Sequence, residues 1–328
     1  MNYIGMDIHK QFTVAAVKDK DGKRLAEEKF DNSKENFANF LEEYKPEETK
    51  IVMESTMVWE WIYEIVEGLG YDVKLANPLK TKAIAFARIK TDKVDANTLA
   101  DLLRANLVAE SYIPPKEIRV LRELARERKT IVKQQTQLKN KIRMLLIRRG
   151  EVLPTVTFSI IALSWLHEKG GIIAQYARLL EDYQAELAII DDHIREISEG
   201  LDETQLLCTV PGIGSIRALT IASEIGEIER FPTSNQLCSY AGLVPSVHQS
   251  GSTLIHGRLI KQASKMLKYV LIETSWSIVR SKQSTRLKEF YKKLMKKKGK
   301  QKAICATARK LCCVIHAMLR KQQPFMLS

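Results

Sequence analysis

The chain has 328 residues, of which 45% are hydrophobic and 28% charged, as is typical of a globular protein with two or three domains. No apolar run reaches the roughly 20 residues that a membrane span requires, and the N-terminus lacks the basic and apolar segments of a secretory signal, so we expect no membrane association. The net charge of +13 favours an anionic partner.

The positive charge is concentrated in two segments. Residues 1–113 contain 16 basic and 20 acidic side chains, whereas 116–150 contain 12 against 3 and 281–310 contain 12 against 1. One such segment alone is more often a solvated helix face. Two of them, following an acidic N-terminal domain, favour nucleic acid as the partner.

The cysteines form no recognisable metal or disulfide pattern. Their spacing matches no zinc site, and their density is far below that of a secreted disulfide scaffold. We therefore predict buried, reduced thiols at Cys208, Cys238, Cys305, Cys312 and Cys313.

The first 113 residues are predicted to alternate between strands and helices. Strands are expected at about 3–9, 12–19, 24–31, 50–55 and 71–78, and helices at about 35–44, 57–70 and 92–108. Ser33 supplies a helix-start signal. The order βββαβαβα is that of a ribonuclease-H-like α/β fold, which we predict for a domain over 1–113.

A proline pair at 114–115 marks the end of this domain. Apolar residues then repeat every three or four positions over 121–145, interrupted by Arg128 and Gln135, and again over 173–197. This pattern predicts a helical coiled-coil region over 114–200. The two helices form either an antiparallel hairpin or a dimer seam, and the sequence does not choose between them.

Residues 201–328 are predicted to form a mainly α-helical domain. The segment TVPGIGSIRA, with Gly212 and Gly214, has the pattern of a helix-hairpin-helix, in which backbone N–H groups at the second helix can meet a phosphate. A purely structural helical turn is the alternative. A loop-rich stretch is expected over 240–258 and a long helix from about 259, followed by the lysine-rich segment KKLMKKKGK.

Four acidic residues fall at matching points of the predicted N-terminal fold. Asp7 ends the first strand and Glu54 the fourth, its neighbour, while Asp92 and Asp95 begin the helix that packs at the same end of the sheet. Carboxylates this close repel unless cations lie between them. We predict a site for two Mg²⁺ (or Mn²⁺) ions suited to phosphodiester chemistry. Singly, each acid has an ordinary alternative as a turn, cap or surface residue, and we interpret His9 as a packing or supporting residue.

These motifs resemble those of a known family. Asp7 in GMDIHK, Glu54 in VMEST and both acids of KTDKVDANTLA resemble the DEDD motif of the insertion-sequence 110 family of transposases, whose N-terminal domain is similar to RuvC-type Holliday-junction resolvases. TVPGIGSIRA and YAGLVPSVHQSG resemble the second block of that family, in the same order. The resemblance covers nearly the whole chain. It implies a prokaryotic DNA recombinase working in the cytoplasm, at the nucleoid.

The resemblance further implies a serine nucleophile and a structured bridge RNA that guides recombination of DNA. Ser250 in GLVPSVHQSG matches the family's catalytic serine, whereas Ser246 lies four residues earlier. The implied composite site between protomers predicts a homodimer or homotetramer. The sequence departs from the family pattern at Ala263, where glycine is commoner, and at Lys268, where arginine is usual.

A serine hydroxyl is a weak nucleophile and needs a base or a metal for activation. His248 lies two residues before Ser250, but no Ser-His-Asp arrangement occurs beside it in the sequence. The acidic cluster of the first domain is the remaining source of activation, if the C-terminal domain docks on it.

Five basic residues are predicted to contact nucleic acid. Arg258 and Lys261 would neutralise the attacked phosphate, and Lys296, Lys297 and Lys298 would hold nucleic acid by charge. Three other functions stay open: a resolvase-like nuclease that uses water, an actin-like ATPase, and an inactive nucleic-acid-binding relic. The helical second half argues against the ATPase, and the intact set of acids argues against the relic.

Overall fold

The computed structural model describes residues 1–85, 91–250 and 253–326, and only the backbone at 247–250 and 253–256. The chain divides into two compact units, Met1–Ile113 and Pro114–Ser328. The first is a mixed α/β unit and the second is mainly helical, which confirms the predicted class of each half. No helix in the described ranges is long and apolar enough to cross a bilayer.

The first unit is built on one five-stranded sheet with the order β3-β2-β1-β4-β5. Its strands are β1 (Asn2–Ile8), β2 (Phe12–Lys18), β3 (Arg24–Asp31), β4 (Thr49–Glu54) and β5 (Asp72–Ala76). β1, β2 and β3 pair antiparallel, whereas β4 lies parallel to both β1 and β5. All five predicted strands are confirmed, with ends that shift by two residues at most.

In the described part of this unit four α-helices accompany the sheet: α1 (Lys34–Leu41), α2 (Trp59–Gly68), α3 (Pro78–Ile84) and α4 (Asp92–Arg104). Ser33 caps α1 as predicted, by accepting a hydrogen bond from the Asn36 backbone. The short helix α3 was not predicted, because Pro78 was interpreted only as the end of a strand. Asn77 caps this helix and Pro78 occupies its first turn, a common start signal.

The two faces of the sheet pack against different helices. One face is covered by α1 and α2, and the buried side chains there include Ile4, Met6, Ile8, Ile51, Met53, Phe37 and Ile62. The other face is covered by α4, whose Leu99 and Leu103 pack with Val52. Side chains alternate along a strand, so Asp7, between Met6 and Ile8, lies on the α4 face.

The second unit contains nine helices and one hairpin in the described ranges. The helices are α5 (Lys116–Arg148), α6 (Ile160–Glu168), α7 (Gly171–Glu199), α8 (Asp202–Cys208), α9 (Ser215–Ile225), α10 (Ser234–Tyr240), α11 (Lys265–Arg280), α12 (Arg286–Lys298) and α13 (Lys300–Lys321). The hairpin consists of β6 (Pro245–Ser250) and β7 (Thr253–Leu259). The further division at residue 200 stays a prediction.

Two details of the second unit differ from the prediction. The stretch expected to be loop-rich is largely the β6–β7 hairpin, and the following helix begins at Lys265 rather than at about 259. Ser264 caps that helix by accepting a hydrogen bond from the Leu267 backbone at 3.1 Å. The expectation of five buried thiols is also wrong in part, because Cys208 is exposed and Cys305 and Cys313 are only half-buried.

The long helices α5 and α7 pack against each other within one chain. Arg128 of α5 pairs with Asp191 near the end of α7, whereas Lys141, further along α5, lies 4.8 Å from the Tyr176 ring near the start of α7. The two helices are therefore antiparallel. Arg128, which interrupts the apolar repeat, makes a specific ion pair that favours this register.

Candidate active site and nucleic-acid interface

Asp7 is a buried carboxylate at the end of β1. It is 5% exposed, and its Oδ2 lies 3.1 Å from His9 Nε2. Burial raises the pKa of Asp7 above its usual range; His9 acts in the opposite direction, and the charges of Asp95 and Asp92 raise it further. The protein thus places an anion where neighbouring anions and desolvation both disfavour it.

Asp92 and His9 complete a compact group with Asp7. His9 Nε2 lies 3.5 Å from Asp92 Oδ1, and one ligand atom from each of the three residues lies within 4.8 Å of the other two. We call these residues the Asp7–His9–Asp92 cluster. His9 was interpreted as a packing or supporting residue, yet its ring nitrogen lies between the two carboxylates.

His9 is held in place by contacts that the sequence analysis did not identify. Its backbone N–H donates to the Phe12 carbonyl at 2.9 Å, and the Asn32 side chain donates to the His9 carbonyl at 2.8 Å. Its ring stacks on Phe12 at 4.5 Å between centroids. The only local feature of the sequence that indicated a fixed position for His9 was the short connection between the first two predicted strands.

The start of α4 presents Asp92 to this cluster. Thr91 occupies the N-cap and accepts a hydrogen bond from the Val94 backbone, so the alternative role of Asp92 as the cap is wrong. Asp92 is the first helical residue, and Asp95 follows within the same first turn.

Two side chains from the antiparallel strands anchor α4. Glu27 of β3 accepts from Lys93 at 2.7 Å and from Asn97 at 3.0 Å, and the Lys93 hydrogen bond is the main reason why the pKa of Glu27 is lowered. Lys18 of β2 pairs with Asp101 at 2.6 Å. These contacts hold the acidic first turn over the end of β1.

Glu54 and Asp95 border the cluster. Glu54 ends β4, and because Met53 pairs with Met6, the next residue of each strand is Glu54 and Asp7, on neighbouring parallel strands. Asp95 is close enough for its charge to raise the pKa of Asp7. The structure thus brings Asp7 and Asp92 together with His9, while Glu54 lies on the neighbouring strand β4 and Asp95 in the same first turn of α4 as Asp92.

The donor set of this cluster fits a divalent cation. Carboxylate oxygens are the preferred ligands of Mg²⁺ and Mn²⁺, and an imidazole nitrogen is also a common ligand of transition-metal ions. A bound cation would compensate the mutual repulsion of the carboxylates and the burial of Asp7.

Ser250 and Ser246 occupy different positions in the hairpin. Ser250 is the last residue of β6 and pairs with Thr253, the first residue of β7. The side chains of Ser250 and His248, and all of Gly251, lie outside the described part of the chain. Ser246 lies at the other end of β6, where its hydroxyl packs against Gly257 so closely that a side-chain carbon there would overlap it.

The predicted basic contacts lie on the surface of the second unit. Arg258 in β7 and Lys261 just after it are exposed. Lys296, Lys297 and Lys298 form the exposed last turn of α12, where positive charge also suits the helix dipole.

The glycine turn connects α8 with α9. Gly212 has a φ of +87°, and Arg217 donates a 2.6 Å hydrogen bond to its carbonyl, so a glycine is required for this turn. Gly214 is the N-cap of α9, and a Cβ there would meet open space. The backbone conformation therefore requires a glycine at position 212 and not at 214.

A cavity of about 530 Å³, which we call the α9 pocket, opens beside this turn. Its lining includes Lys129, Arg217 and Tyr269, and Lys129 Nζ lies 3.7 Å from the Tyr269 ring centroid. Burial lowers the pKa of Lys129. Within the described ranges, neither Lys129 nor Arg217 forms an ion pair with a carboxylate. The lining of the α9 pocket therefore combines these two positive charges with one acidic side chain, Glu273.

Known proteins resemble this chain along most of its length. Residues 4–148 match a family model of the DEDD transposase of IS110, and residues 204–292 match the model "Transposase IS116/IS110/IS902 family". The transposase for IS1111A of Coxiella burnetii is 27% identical over 84% of this chain and 79% of its own. The transposase for IS1328 of Yersinia enterocolitica is 24% identical over 94% and 93%.

A further relative is described as an inverting protein rather than as a transposase. The pilin gene-inverting protein of Moraxella bovis is 26% identical over 98% of this chain and 97% of its own. Both family models match in the expected order, and the acids of the DEDD motif lie within the first match. The chain belongs to the IS110 family of transposases and is a DNA transposase.

Proposed function

We propose that this transposase cuts and rejoins DNA at the ends of an insertion sequence and at its target, by divalent-metal-dependent chemistry with Ser250 as the nucleophile and a structured bridge RNA as the guide. The observation that carries the proposal is the convergence of Asp7, His9 and Asp92 within 4.8 Å at the end of β1. The assignment of a serine nucleophile and the involvement of a guide RNA are inferred from the family resemblance.

A ribonuclease-H-like fold of the first unit is part of this proposal. Its support is the strand order, with three antiparallel strands followed by two parallel ones, and the placement of acids at the ends of β1 and β4 and at the start of α4. In such an arrangement the ends of β1 and β4 lie at the same edge of the sheet. A phosphodiester at that edge can approach the acids of both strands and of α4.

The acids Asp7, Glu54, Asp92 and Asp95 would hold Mg²⁺ or Mn²⁺. The ion, when bound, polarises the scissile phosphodiester and stabilises the developing charge on the leaving oxygen. The buried Asp7 fixes one ligand rigidly, while the half-exposed Asp92 carboxylate leaves a side open to substrate. His9 would orient the Asp7 carboxylate through the hydrogen bond at Nε2, which also lies 3.5 Å from Asp92.

In the proposed reaction the Ser250 hydroxyl oxygen attacks the phosphorus atom. A bond forms between that oxygen and phosphorus, the bond to the leaving strand oxygen breaks, and the serine proton ends on the released hydroxyl. Attack by the hydroxyl of the other strand reverses the step. Because the phosphodiester energy is conserved in the intermediate, rejoining needs no ATP.

Positive charge in the second unit would bind the nucleic acids. Gly212, Gly214 and the α9 pocket, with Lys129 and Arg217, would take a backbone phosphate, and Tyr269 offers a ring for base stacking. Arg258 and Lys261 follow the hairpin that carries Ser250, where they would neutralise the attacked phosphate. A homodimer or homotetramer stays a prediction.

The test of the metal site is recombination in vitro with element-end DNA, target DNA, guide RNA and Mg²⁺. Asp7→Asn, Glu54→Gln, Asp92→Asn and Asp95→Asn are each expected to abolish recombination while leaving the fold intact by circular dichroism. Asp72→Asn, on the exposed start of β5, is the matched control and should retain activity. Full activity in any two of the four variants would overturn the assignment.

The alternative is a resolvase-like nuclease that uses water. Denaturing a reaction on labelled DNA separates the two, because only a serine nucleophile leaves a covalent protein–DNA adduct. Ser250→Ala should bind DNA and RNA but trap no adduct, whereas Ser246→Ala should still trap one. An adduct mapped to Ser246, or strand cleavage without any adduct, would remove Ser250 from the mechanism.

A further inference from the structure

Two cysteine side chains meet where α10 packs against α13. Cys238 Sγ lies 3.6 Å from Cys313 Sγ, and the two residues are 75 positions apart in the chain. Cys238 is fully buried and Cys313 is half-buried, so the pair is reached from the α13 side. Neither thiol contributes to the proposed reaction on DNA.

We propose that Cys238 and Cys313 form a reversible oxidation site, at which a small hydroperoxide closes a disulfide between α10 and α13. A disulfide bond is about 2.05 Å long, so the two sulfur atoms need to approach by only about 1.5 Å, which side-chain rotation can supply. The neighbouring Cys312, 1% exposed, also contacts Cys238 and is the competing partner.

Cys238 is the thiol that reacts first. Hydrogen bonds from Cys312 and Cys313, together with the charge of Arg309, lower the pKa of Cys238 to about 7, in spite of its burial. Burial, in contrast, raises the pKa of Cys313, and the Cys238 contact raises that of Cys312. The thiolate is the nucleophilic form, so the lowered pKa favours Cys238 as the attacking sulfur.

The chemistry balances with the peroxide as the oxidant. The Cys238 thiolate attacks one peroxide oxygen, the O–O bond breaks, and Cys238 becomes a sulfenic acid while the released oxygen leaves as water or alcohol after protonation. The Cys313 sulfur then attacks the Cys238 sulfur, an S–S bond forms, and the S–O bond breaks. The departing hydroxide takes the Cys313 proton and leaves as water. Two thiols are oxidised and one peroxide is reduced.

The disulfide would tie α13 to the helix that leads into the serine hairpin. α10 ends at Tyr240, and β6 begins only five residues later at Pro245. A cross-link across 75 residues removes conformational freedom from the unfolded chain, so the melting temperature of the oxidised protein should rise by roughly 5–10 °C.

The experiment treats the full-length protein with hydrogen peroxide, blocks free thiols by alkylation, and maps disulfides by mass spectrometry without reduction. A Cys208→Ser background removes the exposed thiol and with it cross-links between molecules. We expect a peptide containing Cys238 linked to the one containing Cys312 and Cys313, and its loss after reduction with dithiothreitol.

Cys312 and Cys313 lie in one tryptic peptide, so the peptide map alone cannot show which of them is linked to Cys238. Variants with single substitutions make that assignment. Cys312→Ser should retain the cross-link and the rise in melting temperature, whereas Cys313→Ser and Cys238→Ala should lose both. A cross-link that persists in Cys313→Ser would assign the site to Cys312 instead. Cys238 fully alkylated after peroxide treatment of the folded protein would overturn the proposal.

Discussion

Gly5 of β1 lies against the Ala96 carbonyl of α4 with no room for a side-chain carbon between them. A Cβ at Gly5 would overlap that oxygen and would lie 2.5 Å from the Ala100 nitrogen. This contact sets how closely α4 approaches the sheet. Because Asp92 begins the same helix, it also sets the distance between Asp92 and Asp7.

Gly5→Val should therefore damage both the fold and the site. Overpacking of this kind costs about 1–3 kcal/mol of unfolding free energy, and the helix must move away from β1 to accommodate it. We expect a lower melting temperature together with a loss of recombination larger than the unfolded fraction explains. Gly68→Ala, where a Cβ meets open space, is the control and should leave both unchanged.

Asp7→Asn should raise the melting temperature of the metal-free protein. The variant removes a buried charge that desolvation and two neighbouring acids disfavour, although it weakens the His9 hydrogen bond. We expect a net gain of about 1 kcal/mol, equivalent to a few degrees, measured by thermal unfolding in EDTA.

Added Mg²⁺ or Mn²⁺ should make the melting temperature of the unmodified protein higher than that of Asp7→Asn. A ligand that binds only the folded state stabilises it, so the ion should raise the melting temperature of the unmodified protein and not of Asp7→Asn. Equal shifts in both proteins would show that the ion binds elsewhere.

Nucleic-acid binding should depend strongly on salt. If about six phosphates are neutralised, the slope of log K against log salt should be about −5. Replacing Lys296, Lys297 and Lys298 with alanine should make that slope shallower and weaken binding to all sequences alike, as measured by fluorescence anisotropy.

The control for the α12 lysines is an equal loss of charge from exposed positions of the first unit. Lys20, Lys23 and Lys34 are exposed and suit this purpose. Equal effects of the two triple substitutions, or a slope near zero in the unmodified protein, would show that the α12 lysines are only a solvated face.

The α9 pocket should contribute to binding through individual contacts. Lys129→Ala and Arg217→Ala should each weaken binding of a short single-stranded oligonucleotide by roughly 3–10-fold and reduce the salt slope by about 1. Arg178→Ala, an exposed position on α7, should have no effect. Inorganic phosphate at millimolar concentration should compete only where Lys129 and Arg217 are intact; no competition would remove the pocket from the interface.

Glu224 should be a key residue for the stability of the second unit. It is 1% exposed, accepts from Arg126 at 2.8 Å and from the α11 cap Ser264 at 2.9 Å, and thereby joins three helices. Glu224→Gln should lower the free energy of unfolding by about 1–3 kcal/mol, less than for a fully buried pair because Arg126 is half exposed.

A surface ion pair supplies the comparison for Glu224. Arg195 and Asp192 pair on the exposed side of α7, and Arg195→Ala should change the unfolding free energy by less than about 0.5 kcal/mol. Both changes in unfolding free energy are to be measured by urea denaturation of the full-length chain. A similarly small effect for Glu224→Gln would show that hydrogen bonds to water stabilise Ser264 and Arg126 as well as those to Glu224 do.

Local patterns in the sequence were sufficient for the elements of the first unit and for the candidate acids. Short, mainly apolar segments predict β1 and β4, and Asp7 and Glu54 stand near the ends of those segments. Capping residues such as Ser33 act within one helical turn, so they too can be read from sequence. The hairpin of β6 and β7 was missed because the stretch 240–258 is rich in glycine and serine, which are typical of irregular loops.

Tertiary structure alone decided which side chains meet. His9 reaches Asp92 because Asn32, 23 residues later, holds its backbone and because Gly5 admits α4. The pairing of α5 with α7 depends on contacts such as Arg128 with Asp191, 63 residues apart. The sequence by itself determined which residues carry charge and, to within one residue, where the five strands of the first unit begin. The distances between them follow only from packing, because burial and ion pairing between remote segments have no local signature.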